Sequence, residues 1–314
     1  MELRQLRHFL AVMDHRHFGR AAAAVSLTQQ ALSHSISNLE RELQVKLFER
    51  GPFGAQPSPA GRLFERRARS ICAESDFASA EMSTYRGGGE GHVRVGLSQN
   101  FATRLAPQAL LQMQRAKPQV RVSVVVGTSG RILDLALSGQ IDFAVTSPLS
   151  GVEDYPELEH ERLSGRYLHD PSFVVMRRGH PLSERAPLTF ADLGSNPWCL
   201  PEGYPFLWES IFRAIQDAGG VPPSYVVKSD SLTFAKSLLQ QSDYISLLGA
   251  EVVHFELKAG LLVARHLPPM LKPAVGFISF RRRSKLQPAA ATLLNCFERT
   301  MHELENAPDA LAAT

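Results

Sequence analysis

The amino-acid sequence predicts a multidomain α and α/β protein with a helical head, a long linking helix and a two-lobed α/β body. Its 314 residues exceed the usual size of one domain, and its composition, 44% hydrophobic and 21% charged, is that of an ordinary folded chain. Helical spacing of apolar residues dominates before the triple glycine at 87–89, whereas short β-branched runs alternate with helical stretches after it. This change of pattern predicts that the glycines link two differently built parts.

Three helices are predicted in the head. Apolar residues recur at three- and four-residue steps over 3–12, and the alanines at 21–24 allow a second helix to approach its neighbours closely. Thr28 is placed to cap a third helix over 29–43. Two short helices joined by a tight turn form a helix-turn-helix, which the sequence predicts over about Phe18 to Ser37.

A wing and one long helix are predicted next. The turn-rich stretch Gly51–Gly54 favours a small β-hairpin, and Ser58 and Pro59 supply an N-cap and a first-turn proline for the helix that follows. About 28 residues at 1.5 Å each give a helix of roughly 42 Å, too long for a small monomeric domain. Its apolar stripe therefore predicts pairing with a second helix. The stripe consists of Phe64, Ala68, Ile71, Ser75, Ala78, Met82 and Tyr85.

The body is predicted to contain largely parallel sheets, because β-branched runs alternate with helices. The predicted strands are 93–97, 120–126, 143–146, 173–176, 198–200, 225–227, 245–248 and 275–280. The predicted helices are 101–115, 132–138, 206–218, 232–240 and 288–304. The chain is expected to pass between two lobes at 162–165 and at Pro268-Pro269.

Positive charge is concentrated in the head. Residues 1–69 hold 11 Lys and Arg against 6 Asp and Glu, a surplus of five, while the remaining 245 residues carry a net charge of −2. Ten of the eleven cations are arginines, whose planar guanidinium matches phosphates and guanine edges. This asymmetry favours a nucleic-acid-binding head on a nearly neutral body.

Several classes of protein are disfavoured by the sequence. No apolar run approaches 18 residues and the first residues do not form a signal peptide, so we expect a cytoplasmic protein without membrane contact. Cys72, Cys199 and Cys296 are odd in number and far apart, which favours neither a disulfide framework nor a metal cluster. His15 and His17 have no partner ligands nearby, so we expect no metal and no cofactor.

Over nearly its whole length, the chain resembles the LysR-type transcriptional regulators. In the head, the resemblance rests on Leu3-Arg4-Gln5-Leu6, on Thr28-Gln29-Gln30-Ala31-Leu32-Ser33 and on Leu47-Phe48-Glu49-Arg50. In the body, it rests mainly on LSGQIDFAV at 137–145 and LTFADL at 188–193. The resemblance implies a DNA-binding regulator that responds to a small-molecule effector, and it implies self-association as a dimer or tetramer.

The resemblance also implies a division into domains. Residues 1–58 would form a winged helix-turn-helix DNA-binding domain, 59–89 a dimerising linker helix and hinge, 90–305 an effector-binding domain, and 306–314 a tail. The effector-binding domain would have the fold of type II periplasmic binding proteins. Its lobe I would span about 90–163 and 267–305, and its lobe II about 164–266.

The second helix of a helix-turn-helix lies in the major groove, where its N-terminal polar residues meet base edges. Gln pairs with adenine and Ser bonds to several bases, so we expect binding to double-stranded DNA. Because the resemblance implies a dimer or tetramer, the expected operator is an interrupted palindrome. The residues predicted to face the bases are Thr28, Gln29, Gln30, Ser33, His34, Ser37 and Asn38. Arg50, Ser58 and Arg62 flank the wing and are expected to contact phosphates, whereas Glu40 is expected to pair within the head. An ordinary solvated surface is the alternative for each DNA-facing residue.

Polar residues follow the first three predicted strands of the body. Strand-to-helix corners present free N–H groups that favour an anion, so we expect a small organic acid between the lobes. The predicted effector-binding residues are Ser98, Gln99, Asn100, Thr128, Ser129, Thr146 and Ser147 in lobe I, with Pro201, Glu202 and Phe206 in lobe II. The alternative for the Ser and Thr residues is simple helix capping.

Three other functions stay open at this point. Redox sensing through Cys199 would match a peroxide-sensing branch of the family, but no second cysteine lies near it in sequence, which favours a buried structural thiol. A solute-binding protein would share the fold of the body without needing the arginine-rich head. An enzyme would need a nucleophile with a base, or a metal site, and the sequence offers neither pattern.

Overall fold

A computed structural model describes nine stretches of the chain. They are residues 1–51, 54–85, 91–147, 152–163, 172–185, 187–201, 205–266, 276–282 and 286–306. The triple glycine, Pro268-Pro269 and residues 307–314 of the predicted tail lie outside them. No helix in the described part is long and apolar enough to cross a membrane.

The head contains the predicted helix-turn-helix and wing. Its helices are α1 (Leu3–His15), α2 (Phe18–Ala24) and α3 (Gln29–Leu43), and its strands are β1 (Phe48–Gly51) and β2 (Gly54–Pro57). The strands pair antiparallel, and the wing is tied to the α1–α2 turn because the Ala55 amide donates to the Arg16 carbonyl at 3.0 Å. Gly54 has φ +106°, and a Cβ there would lie 2.5 Å from the Arg16 oxygen, so this turn requires glycine.

The long helix α4 (Pro59–Tyr85) has the predicted length, but its apolar stripe is divided between two environments. Phe64 and Ala68 pack into the core of the head together with Phe9 and Leu47, whereas Ile71 and Met82 are 41% and 53% exposed. The stripe is therefore not one continuous pairing surface, because its N-terminal part is used to close the head.

Lobe I is built on a five-stranded sheet in the order β4-β3-β5-β12-β6. Its strands are β3 (His92–Ser98), β4 (Arg121–Gly127), β5 (Phe143–Thr146), β6 (Leu158–Arg162) and β12 (Phe277–Arg281). Its helices are α5 (Gln99–Ala102), α6 (Leu105–Ala116), α7 (Ser129–Leu137) and α12 (Pro288–Asn306). The single helix predicted over 101–115 is in fact α5 and α6, separated at residues 103 and 104.

Lobe II has its own core around Trp198 and Ile215, both fully buried. Its strands are β7 (Ser172–Arg177), β8 (Trp198–Leu200), β9 (Val226–Lys228), β10 (Ser246–Gly249) and β11 (Leu262–His266). Its helices are α8 (Phe190–Leu193), α9 (Pro205–Asp217), α10 (Leu232–Gln241) and α11 (His254–Lys258), with a 3₁₀ turn at Ala250–Val253. A parallel bridge between Trp198 and Ile245 joins β8 and β9 to the other strands.

The prediction of largely parallel sheets is wrong. Strand β3 pairs parallel with β4 and β5, and β8 with β9, but β12 runs antiparallel to β5 and β6, and β7 antiparallel to β10 and β11. The returning strand β12 is inserted between β5 and β6, a direction that local hydrophobic patterns do not encode.

Candidate functional site

Helix α3 presents a polar face to solvent because its apolar residues point into the head. Leu32, Ile36 and Leu39 are buried, which turns Gln29, Gln30 and His34 outward; Ser33, Ser37 and Asn38 are half-buried beside them. Thr28 caps the helix by accepting a hydrogen bond from the Ala31 amide at 3.2 Å. All seven residues predicted to face bases therefore lie within the first three turns of one helix.

Two of these polar side chains are held in place by their neighbours. The Asn38 amide nitrogen lies 3.3 Å from His34 Nδ1, and Arg41 Nη2 donates to Asn38 Oδ1 at 3.1 Å. The row of His34, Asn38 and Arg41 follows the i, i+4, i+7 spacing of one helix face. A fixed orientation reduces the side-chain entropy lost when such groups meet a ligand.

The residues that flank the wing do not have equal access to DNA. Ser58 is buried: its hydroxyl donates to the Lys46 carbonyl and accepts from the Gly61 amide at 3.0 Å. The N-cap prediction for Ser58 is thus confirmed, and its burial does not fit the predicted phosphate contact. Arg62 is exposed and donates to the Pro57 carbonyl at 2.7 Å, which leaves other guanidinium N–H groups for phosphate. Arg50 lies in β1, and its side chain is outside the described atoms.

Glu40 pairs within the head, as expected. Its carboxylate is buried, accepts hydrogen bonds from the backbone amides of Leu47 and Phe48 at 2.9 and 3.3 Å, and contacts Lys46 Nζ at 2.6 Å. The end of α3 is thereby joined to the start of the wing. The wing and the polar face of α3 are held in a fixed relation to each other.

Three predicted effector residues converge at one edge of the lobe I sheet. Ser98 ends β3, Ser129 follows β4 and Thr146 ends β5. The register pairs Ser98 with Gly127 and Leu97 with Val145, so the ends of the three parallel strands lie side by side. The exposed fractions of Ser98, Ser129 and Thr146 are 5%, 5% and 0%.

The hydroxyl groups of these three residues have no hydrogen-bond partner among the residues that the structure describes. Helix capping does not account for the corners either, since neither Ser98 nor Thr128 makes a side-chain cap bond to its helix. A buried polar group without a partner costs about 1–3 kcal/mol. Three such groups at the ends of neighbouring strands are typical of a site that a ligand completes.

The other predicted effector residues are placed differently. Gln99 Nε2 donates to the Asp230 carbonyl of lobe II at 3.1 Å, and Asn100 is exposed. Ser147 is buried, and the Pro201 carbonyl accepts from Trp208 Nε1 at 2.9 Å. Glu202 lies outside the described residues, and Phe206 belongs to α9 without a described side chain.

A second contact between the lobes was not predicted. Arg104, at the start of α6, lies 2.7 Å from Glu251 Oε1 and 3.3 Å from His254 Nδ1 in lobe II. Burial, together with the nearby Arg104 charge, lowers the pKa of His254 below its usual value. The partners are 147 and 150 positions apart, so no local pattern announces the contact.

The three cysteines are all buried free thiols. Burial raises the pKa of Cys199, which is 0% exposed, and it also raises the pKa of Cys72 and Cys296. The thiolate is the reactive form, so these environments disfavour redox chemistry.

Two family models together match nearly the whole chain. Residues 3–62 match the bacterial regulatory helix-turn-helix protein, lysR family, and residues 86–302 match the LysR substrate binding domain. The SDS degradation transcriptional activation protein of Pseudomonas sp. is 32% identical over 297 residues, which are 93% of this chain and 94% of that protein. The transcriptional regulator GbpR of Azospirillum brasilense is 32% identical over 78% of this chain and 71% of its own length.

Solved structures share the fold at lower identity. CbnR, a LysR family transcriptional regulator, superimposes with a TM-score of 0.65 at 21% identity, covering 96% of this chain and 99% of that one. Full-length CbnR in complex with its target DNA gives a TM-score of 0.62 at 21% identity, with 96% and 100% coverage. A full-length OxyR variant from Pseudomonas aeruginosa gives 0.63 at 20% identity, with 96% and 95% coverage.

Proposed function

Because the chain belongs to the LysR family of DNA-binding transcriptional regulators with an effector-binding domain, we propose that a small organic acid, held between its two lobes, controls how it binds an interrupted palindromic operator. The protein would act as a dimer or tetramer on double-stranded DNA, with RNA polymerase as a further partner if it activates transcription. The domain limits given above are part of this proposal.

The trio of buried hydroxyls carries the effector part of the proposal. Ser98, Ser129 and Thr146 offer three donor or acceptor groups to one ligand. Ser98 and Ser129 lie where α5 and α7 begin, and Thr146 ends the neighbouring strand β5. Helix N-termini stabilise negative charge, and hydroxyl groups donate well to a carboxylate, so an organic acid satisfies both features. A neutral ligand could bond to the hydroxyls but would not use the positive end of α7.

The polar face of α3 supports the DNA part of the proposal. Gln29, Gln30 and His34 stand free of the head core, and Glu40 fixes the wing beside them. This arrangement suits insertion of α3 into the major groove, while the wing and Arg62 lie along the backbone. Base contacts would supply specificity and phosphate contacts would supply most of the salt-dependent affinity.

Two exposed apolar surfaces support self-association. On α4, Leu63, Ile71 and Met82 are exposed. On lobe I, an open groove of ≈ 470 Å³ lies between α6 and β4, with Leu110, Met113, Val120 and Val122 in its lining. Strand β4 is the edge strand of this sheet in the described part of the chain, and an edge strand beside an apolar groove is suited to contact with a second copy of the chain. One surface would suffice for a dimer, and both together would build a tetramer.

The cross-lobe contacts support a closing motion as the response to the effector. Gln99 and Arg104 in lobe I already reach Asp230 and Glu251 in lobe II. A ligand that bridges the hydroxyl corners and lobe II would favour the closed arrangement and shift its population. The altered packing between subunits would change the spacing of the heads and the bending of the operator.

A ligand screen tests the proposal. We would measure the melting temperature of the full chain with a panel of mono- and dicarboxylic acids, their amides and neutral sugars. An acid that raises the melting temperature of the wild-type chain but not that of Thr146→Val would support the proposal. A change in the operator footprint on adding the same acid would support it as well. Stabilisation by a neutral compound alone, or equal stabilisation of Thr146→Val, would contradict it.

A further inference from the structure

Helix α7 connects the hydroxyl corner to the long helix α4. Its first residue, Ser129, carries one of the three buried hydroxyls without a described partner. Its last residue, Leu137, offers a carbonyl oxygen that lies 3.4 Å from the hydroxyl of Ser70 on α4. The helix has nine residues, so its first and last residues are separated by eight rises of 1.5 Å, about 12 Å along the axis.

The helix is built to move as one unit. Ile132, Leu133 and Ala136 are buried against the lobe I sheet, and together with Ile141 and Leu158 they form a separate apolar cluster. A close-packed helix transmits a displacement at one end to the other, because its interior cannot compress. A shift at Ser129 would therefore reach Leu137.

The far end of α7 meets α4 in a tight contact, which we call the docking patch. It is formed by four residues of α4 and four residues of lobe I: Arg66, Ser70, Ala73 and Glu74 contact Glu157, Leu137, Gly139 and Arg281, respectively. A Cβ at Gly139 would lie 2.7 Å from the Cβ of Ala73, and Gly139 has φ +72°, so glycine is required for this approach. Ala73 is buried by the contact. A displacement of the α7 end by a few tenths of an ångström would be felt here.

Two ion pairs lie within the docking patch. Arg281 Nη1 lies 3.3 Å from Glu74 Oε2, and Arg66 Nη1 lies 3.8 Å from Glu157 Oε1. Of the two arginines, Arg281 lies nearer the centre of the patch, because its guanidinium would be 3.2 Å from a Cβ added to Gly139. The pairs are partly exposed, so each contributes modestly and can be broken without unfolding the chain.

We infer that α7 is the element that couples the effector pocket to the DNA-binding head, with the docking patch as its output. A ligand at Ser129 shifts α7, the shift alters how α4 docks on lobe I, and α4 carries the change to the head whose core it completes through Phe64 and Ala68. This inference rests on the effector pocket proposed above. It names one path within the chain, separate from any change in packing between subunits.

Hydrogen–deuterium exchange of the full-length protein tests the path without DNA or effector. Glu74→Arg places two cations together and loosens the patch, so we expect about two- to fivefold faster exchange over 66–76 and 135–142. Since coupling is reciprocal, exchange over 129–133, at the far end of α7, should rise as well. The double variant Glu74→Arg/Arg281→Glu should restore all three segments.

A charge reversal elsewhere on α4 serves as the matched control. Asp76→Arg reverses a charge on α4 that pairs with Arg7 of the head at 2.7 Å, and it should leave 129–133 unchanged. If Glu74→Arg changes only the two segments of the patch, or none, the inference is wrong.

The path is also tested from its other end. Ser129→Met fills the hydroxyl corner and displaces the start of α7, so exchange over 66–76 should rise, whereas Ser129→Ala should leave this segment of α4 unchanged. A response of Ser129→Met confined to lobe I would contradict the inference. Neither measurement depends on operator binding, so failure of the coupling is distinguishable from failure of the proposed function.

Discussion

The buried carboxylate of Glu40 accepts a hydrogen bond from the backbone amide of Leu47 at 2.9 Å, and this bond joins the end of α3 to the start of the wing. The same carboxylate accepts from Phe48 and contacts Lys46, so one charge satisfies two buried amides. The relative position of α3 and the wing, the two elements that we propose to face DNA, therefore depends on a buried residue that lies in neither proposed contact surface.

Glu40→Ala should loosen the wing. Two buried amides lose a charged acceptor, which costs about 2–4 kcal/mol locally, and exchange of the amides over 47–48 should accelerate by at least ~30-fold. Glu40→Gln keeps one acceptor oxygen and should lose less. Hydrogen exchange measures both variants, and equal exchange in wild type and Glu40→Ala would refute the role of this carboxylate.

Thr146→Val should leave the empty protein as stable as the wild type or stabilise it by about 1 kcal/mol, because it removes a buried hydroxyl without a described partner. The same variant should lose its response to the effector. Ser279→Ala is the control, since Ser279 is equally buried but lies 2.8 Å from His160 Nδ1, and it should destabilise the chain. Urea denaturation measures both variants. A strongly destabilised Thr146→Val would show that its hydroxyl has a structural role.

Stability should fall as the pH drops below about 6.5, the ordinary pKa of histidine. Burial lowers the pKa of His180, whose Nδ1 accepts from the Leu182 amide and whose Nε2 faces the Asp243 carbonyl. The unfolded chain then binds more protons than the folded chain, so unfolding becomes easier in acid. His180→Gln should lower the urea midpoint at pH 7.5 and flatten its decrease toward pH 5.5. If the urea midpoint of His180→Gln decreases with falling pH as steeply as that of the wild type, His180 does not contribute. Some decrease should remain in the variant, because burial also lowers the pKa values of His8 and His254.

Peroxide should not change DNA binding. The thiol of Cys199 is buried and its pKa is raised, so the reactive thiolate is scarce. We expect wild type and Cys199→Ser to bind operator DNA alike before and after treatment, as measured by electrophoretic mobility shift. A peroxide response in the wild type that Cys199→Ser abolishes would establish redox sensing instead.

Local patterns predicted the head well. The observed bounds of α3 are those predicted, 29–43, because its cap and its apolar spacing both lie within the helix. The corners at Ser98, Ser129 and Thr146 were also predictable, since parallel strands bring their ends to one edge. Whether these hydroxyls form helix-capping hydrogen bonds or remain without a described partner could not be predicted from sequence, because this depends on the packing around them.

Contacts between residues far apart in sequence could not be predicted, because local patterns carry no information about them. Strand β6 was missed because Leu158 is its only buried residue, which leaves no alternating pattern, and the antiparallel insertion of β12 depends on contacts with segments more than a hundred residues away. The contact of Arg104 with Glu251 and the docking of Ala73 on Gly139 join parts that are distant in the chain. The burial of Ser58 follows from its bond to Lys46 of the preceding segment, not from its own neighbours.

Salt-titrated binding to the DNA immediately upstream of the chain's own gene tests the central claim most directly, with Ser33→Ala, Arg62→Ala and Ser58→Ala compared with the wild type. We expect a footprint over an interrupted palindrome and an affinity that falls steeply with salt. Ser33→Ala should reduce the preference for the operator, and Arg62→Ala should weaken binding to all sequences and lower the salt slope by about 1. Ser58→Ala should act mainly through stability. Binding no stronger than to random DNA, and unaffected by Ser33→Ala, would contradict the account of α3 as the helix that reads this operator.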